Sequence, residues 1–313
     1  MADVIEVQDL RKSFPGVEAV RGLDLRVAAG ELFGLLGPNG AGKTTTLRLL
    51  TTLLPIDAGT AVVAGADVAR DPRAVRRRIG YVGQIGGADL PATGRENLLL
   101  QGRLYGASKT DARRRGDELI EALALGSFVD RRVSTYSGGQ RRRLEIALGL
   151  AHRPQVLFLD EPTTGLDPQN RANLWDQLRA LRADGTTIVL TTHYLEEADA
   201  LADRLAIVDA GRVVTEGSPR ALKSQLAGDT VTLRPRGDVP AVRTLLDAQP
   251  FVRDVVLDGD ALRLSVPDGP AAVPKLLDVL GGAGVELAAL ALVEPSLDEV
   301  FLRVTGRALR DAA

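Results

Sequence analysis

The stretch from Gly37 to Thr45, GPNGAGKTT, limits what this chain can fold into more than any other. Gly37-x-x-x-x-Gly42-Lys43-Thr44 is a phosphate-loop spacing, and it lies between an apolar run, ELFGLLG, and a helical run, TTTLRLLTTLL. Glycines let the backbone wrap so that N–H groups point inward at an anion, and the positive end of the following helix adds to the attraction. Lys43 is placed to reach the outer phosphates, and Thr44 to ligate Mg²⁺. The loop demands a strand ending at its start and a helix beginning at its end, so an α/β sheet is expected around it.

The surrounding pattern agrees. Two alternating stretches, VIEVQDL and VEAVRGLDLRV, precede the loop and read as half-buried strands. Residues 95–153 change character, with leucines at helical period among many charges, and read as an inserted helical segment. Strand–helix alternation then returns with QVLFLDEP, a helix closed by Gly185, and the strand TTIVLTTH. A hairpin is expected to turn at Ala210-Gly211. From Asp229 onward the order is β-α-β-β-α-β, a split βαβ arrangement, followed by a last helix over PSLDEVFLRVTGRALR.

Bulk properties narrow the partners. A net charge of −2 over 313 residues leaves no electrostatic footprint for nucleic acid. The arginine clusters Arg76–Arg78 and Arg113–Arg115 read as solvated helix faces, and Arg141–Arg143 as a solvated or partner-facing stripe. With no cysteine and two histidines, thiolate and histidine-rich metal centres are ruled out. The N-terminus lacks an apolar leader core, and no run reaches the ~18 uncharged apolar residues of a membrane helix.

Other candidate residues cluster at expected strand ends, where open α/β sheets bind ligands. Asp160 and Glu161 end the apolar run VLFL. Beside a phosphate loop, Asp160 suits a metal's hydration shell and Glu161 suits proton acceptance from an attacking water. His193 ends TTIVLTTH and is placed for a γ-phosphate contact, and Gln84 is a neutral amide at another strand end. Phe14 either stacks on an adenine or joins the core. His152, before Pro154, reads as structural.

GPNGAGKTT, Gln84, YSGGQ, LFLDE, GLD and His193, in that order, resemble the nucleotide-binding subunit of ABC transporters over roughly residues 3–220. The resemblance implies an ATP-binding domain at 1–222, with a RecA-like core, an antiparallel β subdomain and a helical subdomain at about 86–154. A small α+β domain at 223–313 would follow, serving dimerisation or assembly, regulation, or as a spacer.

It also implies roles. Phe14 stacks on adenine; Gly37, Pro38, Asn39, Gly40, Ala41, Gly42, Lys43, Thr44 and Thr45 bind ATP; Thr44, Gln84 and Asp160 serve Mg²⁺. Glu161 is the base, His193 the γ-phosphate switch, and Gln84 links the site to a membrane partner. Ser137, Gly138, Gly139 and Gln140 face the ATP of a second copy, and Asp167 belongs to the GLD segment between the copies. Tyr136 stands where that signature more often has leucine.

Wording such as THYLEEADALADRLAIVDAGRVVTEG and the closing PSLDEVFLRVTG is similar to ATPases of the daunorubicin-resistance type. This implies a homodimer that hydrolyses ATP at the cytoplasmic face of the membrane and drives efflux of a drug-like or antibiotic-like hydrophobic compound through a separate permease. Residues 95–110 are the expected docking surface for it. Lipid or polysaccharide export and a non-transport ATPase switch remain alternatives.

Overall fold

A computed structural model describes residues 2–226, 229–293 and 296–306. The chain divides into two compact units, one running through Glu216 and the other beginning at Gly217.

The first unit opens with long paired strands, β1 (Asp3–Phe14) and β2 (Val17–Ala28). β3 (Leu32–Leu36) leads into α1 (Lys43–Leu50). After β4 (Ala58–Val63), β5 (Ala66–Asp67) and α2 (Pro72–Arg78) comes β6 (Ile79–Val82). Three helices follow: α3 (Gly94–Leu104), α4 (Lys109–Ala122) and α5 (Gly138–Leu150). The unit closes with β7 (Val156–Asp160), α6 (Pro168–Ala183), β8 (Thr187–Thr192), α7 (Leu195–Leu201), β9 (Arg204–Asp209) and β10 (Arg212–Gly217).

Two sheets result. The first, β2-β1-β4-β5, is antiparallel, and its alternating strands bury one face. The second runs β10-β9-β3-β8-β7-β6, with β9, β3, β8, β7 and β6 parallel. Every residue of β3, β7 and β8 is buried, as strands covered on both faces require. One core cluster joins the sheets, running from Ile5, Val7 and Val20 through Leu47 to Phe33, Phe158 and Val208. The β9–β10 turn falls where expected, with Ala210 at φ 46° and Gly211 at φ 80°.

Helix starts follow their sequence signals. Thr93 and Ser137 close capping boxes with Glu96 and Gln140, and Asp167 caps α6 ahead of Pro168. α5 differs from an ordinary amphipathic helix, because nine of its thirteen residues are buried. It lies close against β6: a Cβ on Gly80 would come within 2.2 Å of the Gly149 carbonyl oxygen.

The second unit contains α8 (Pro219–Leu226), β11 (Asp229–Pro235), α9 (Val239–Asp247), β12 (Asp254–Asp258), β13 (Ala261–Val266), α10 (Gly269–Gly282), β14 (Leu287–Val293) and α11 (Leu297–Thr305). Its antiparallel sheet has the order β12-β13-β11-β14, the split βαβ arrangement read from the sequence. Val231, Leu233, Leu262 and Leu264 pack against Val242, Leu246, Leu276 and Leu280 of its helices. The expected closing helix is present as α11; Pro295 and residues 307–310 of that expectation lie outside the described residues.

Gly80→Ala tests the α5–β6 contact. The added methyl meets backbone rather than a flexible side chain, so the substitution should cost about 1–3 kcal/mol, read as a lower urea midpoint for the first unit.

Candidate nucleotide site

Parallel register brings the strand ends together. Leu36 pairs with Thr192, and Thr191 with Asp160, so the glycine loop, Asp160-Glu161 and His193 leave the sheet side by side. The loop is tied to β8 by the Gly37 N–H, which donates to the Thr192 carbonyl at 3.3 Å. Two of its glycines answer to packing. A Cβ on Gly37 would sit 2.2 Å from Val208 O, and one on Gly42 (φ 102°) would sit 2.4 Å from Ala19 O. The β9–β10 turn buttresses the loop from below, Gly211 N–H donating to Ala41 O at 3.0 Å.

No side chain caps α1, so the first N–H groups of that helix are free for an anion. Lys43 is 4% exposed and donates to the carbonyls of Gly37 (2.6 Å) and Pro38 (2.9 Å). Burial draws its pKa down, against the pull of Glu161 and Asp160.

Asp160 lies at the centre. One oxygen, Oδ1, accepts from Thr44 Oγ1 at 2.9 Å and Thr191 Oγ1 at 2.7 Å. The other, Oδ2, is buried without a partner. A buried carboxylate oxygen beside a threonine hydroxyl fits a divalent cation that keeps most of its ligands as water and substrate phosphate. No cluster of three acidic or histidine side chains able to hold a metal alone occurs among the described residues.

Glu161 is held in the left-handed region at φ 47°, strained for a non-glycine residue. Its N–H donates to Thr191 Oγ1 at 3.0 Å, and its carboxylate accepts from Thr164 Oγ1 at 3.2 Å. His193 Nδ1 lies 3.4 Å from Glu161 Oε1 but makes no hydrogen bond. Gln84 is exposed and shares with Glu161 and Gly138 a cleft of about 400 Å³. α7, just after His193, buries Glu197, which accepts from Trp175 Nε1 at 3.3 Å. Desolvation raises its pKa above the ordinary carboxylate range.

The remaining expected residues sit elsewhere. Phe14 ends β1 at 40% exposure with Lys12 Nζ 5.7 Å above its ring, so it is not a core residue. Ser137 caps α5: its hydroxyl accepts from Gln140 N at 3.3 Å, while its own N–H donates to Gln140 Oε1. Among the described residues no hydrogen bond joins Ser137–Gln140 to the glycine loop. Asp167 accepts from Asn170 N at 2.9 Å, which lowers its pKa. His152 stacks on Tyr105 at 3.7 Å and bonds Ile79 O, a structural placement.

The reading of Arg141–Arg143 as a solvated face is corrected. Arg142 is buried, Arg141 pairs with Glu145, and Arg143 lies 5.0 Å above the Phe128 ring. The physical reason is that α5 is enclosed rather than solvent-facing. Thr191 was also missed, although a threonine among the apolar residues of a buried strand signals a hydroxyl with a partner.

Fold and site together define an ATP-binding cassette, the ATPase module of ABC transporters. Residues 20–164 match the ABC transporter family, and residues 217–305 match the C-terminal domain of DrrA1-3-like ATP-binding proteins. Daunorubicin resistance ATP-binding protein DrrA3 of Streptomyces coeruleorubidus is 49% identical, with all of both chains covered. Doxorubicin resistance ATP-binding protein DrrA of Mycobacterium tuberculosis is 44% identical over 96% of this chain and 93% of that one. Nod factor export ATP-binding protein I of Paraburkholderia xenovorans is 42% identical over 98% of each.

Among solved structures, an ATP-binding subunit of an ABC transporter superposes with TM-score 0.64 at 28% identity, over 71% of this chain and 92% of that one. A dimeric ATP-binding cassette in a post-hydrolysis state with ADP and phosphate gives 0.63 at 25%, over 68% and 98%. The chain belongs to the DrrA-type branch of the ABC transporter ATP-binding proteins. It is an ATPase coupled to transport, and cassettes of this class work as dimers with membrane permease subunits. No helix among the described residues is long and apolar enough to cross a membrane.

Two predictions arise here. Thr191→Val removes the hydroxyl serving both Asp160 and Glu161 and should cost about 1–3 kcal/mol, measured by denaturation. Glu197 holds its proton to higher pH when folded than when unfolded. Between those two values the folded state binds more protons, so stability falls as pH rises. Glu197→Gln should flatten that dependence in melts from acid to neutral pH; an unchanged slope would exclude Glu197 as its source.

Proposed function

We propose that two copies of this chain close around two ATP molecules and drive export of a hydrophobic, drug-like compound through a separate permease. The observation that carries the hydrolytic part is the junction at the sheet edge, where Thr44, Asp160, Glu161 and Thr191 meet beside an uncapped helix start. The drug-like cargo is supported by 49% identity to a daunorubicin resistance protein along the whole chain.

In this reading the glycine loop and α1 hold the phosphates, and Lys43 exchanges its two loop carbonyls for phosphate oxygens. Mg²⁺, when bound, neutralises phosphate charge; Thr44 Oγ1, Asp160 Oδ2 and Gln84 would hold it. Glu161 takes the proton of the attacking water, and His193 beside it senses the γ-phosphate. Phe14, exposed at the β1–β2 turn, stacks on adenine. Ser137, Gly138, Gly139 and Gln140 complete the partner's site, with Asp167 between the copies.

The permease docks near residues 95–110. Leu100, Leu104 and Tyr105 are exposed there, and Ile85 beside Gln84 is 92% exposed. The chain is thereby held at the cytoplasmic face of the membrane.

Glu161→Gln should still bind ATP, lose at least about 100-fold in turnover, and accumulate as a dimer on size exclusion. Wild-type turnover would remove Glu161 as the base. Ser137→Ala should stop turnover while the isolated chain keeps its ATP affinity; loss of that affinity would assign the serine to its own chain's nucleotide.

A further inference from the structure

Arg142 makes hydrogen bonds to two separate loops of the site. Its Nη1 donates to Gly83 O at 2.7 Å, the residue before Gln84. Its Nη2 donates to Asp160 O at 3.1 Å and its Nε to Pro162 O at 2.9 Å, the carbonyls on either side of Glu161. Nη1 also reaches Glu145 Oε2 at 3.3 Å, one turn along α5.

Glu145 completes the grip. It is 7% exposed, accepts from Arg141 Nε at 3.1 Å, and places Oε1 where a Cβ on Gly86 would stand, at 1.6 Å. The segment around Gln84 is therefore hydrogen-bonded at Gly83 by the guanidinium, and the Glu145 carboxylate packs closely against Gly86.

Burying a guanidinium at 7% exposure is costly, and apolar residues of similar volume often stabilise a core as well or better. What an apolar side chain cannot do is hold three carbonyls in one plane, as a guanidinium fork does. Asp160 O belongs to the peptide that enters Glu161, whose backbone sits at the strained φ of 47°, and Pro162 O lies one peptide beyond the bond that leaves it. The third belongs to the loop that carries Gln84. The fork thus sets the peptide planes around one residue of the site and the entry to another.

We propose that Arg142, with Glu145 as its counter-ion, is a positioning residue that orients Glu161 and couples its placement to the Gln84 loop. The inference rests on the reading of Glu161 as the base. A shift of Gly83 moves the guanidinium, and the guanidinium carries the peptides at 160 and 162 with it.

A double-mutant cycle with amide exchange tests this. Arg142→Met should lower kcat at least about tenfold, with KM for ATP and equilibrium ATP affinity within about twofold. In the Arg142→Met background, Glu161→Gln should cost far less than in wild type, because the carboxylate removed is already misplaced. Without nucleotide, amide exchange in Arg142→Met should rise at both 83–87 and 161–166 and not across the sheet.

Additive losses, exchange confined to one loop, or a uniform rise across the unit would overturn the proposal. Full turnover in Glu161→Gln alone would instead overturn the base assignment. Should Arg142→Met fail to fold, Arg142→Lys keeps the charge against Glu145 without the planar fork. It should show the same kcat loss and the same two-loop exchange, and wild-type behaviour from it would sink the proposal.

Discussion

The whole site depends on one buried carboxylate. Asp160 is 1% exposed, and both hydroxyls that reach it bond the same oxygen. An anion this deep must be paired or hydrogen-bonded, so the surrounding elements have little freedom. Thr44 has to sit on the first turn of α1, and Thr191 has to pair with Asp160 across β7 and β8. Thr191 then also receives the Glu161 N–H. One side chain thereby sets the depth of the carboxylate and the start of the strained turn carrying the adjacent one.

Parallel strands make that arrangement readable in the amino acids. Strands covered on both faces must be apolar throughout, so ELFGLLG, VLFLD and TTIVLTT stand out as runs, and whatever ends each run reaches the same sheet edge. The glycine loop, Asp160, Glu161 and His193 are legible for this reason. The split order of the second unit was legible from its turns and alternation. In each case the signal is local, because a few adjacent residues report both the element and its end.

Arg142 and Glu145 were hidden because periodicity assumes that a helix has one wet side. On α5 the charges cluster in Arg141–Arg143 and Glu145 as on a surface, yet Arg142 and Glu145 face the loops at 83–86 and 160–162. Those partners lie 18 to 59 residues away in sequence, and nothing local marks them. Glu197 escaped for the same reason: LEEADAL offers two adjacent glutamates, and only packing shows that Glu197 is the buried one.

The two glycines of the signature now separate. Gly139 has an internal cause, since a Cβ there would come within 2.6 Å of Asn170 Oδ1. Gly138 has none: its Cβ would find only Leu166, at 3.9 Å, an ordinary contact. Ser137 and Gln140 already satisfy each other in the capping box, which leaves the N–H groups of Gly138 and Gly139 at an open helix start. A position that needs no glycine for its own fold, beside unspent donors and lining a cleft, leaves room there for a group from outside the chain. The glycine loop is already complete from within the fold, so in the proposed dimer this helix start and the glycine loop are halves of two different sites.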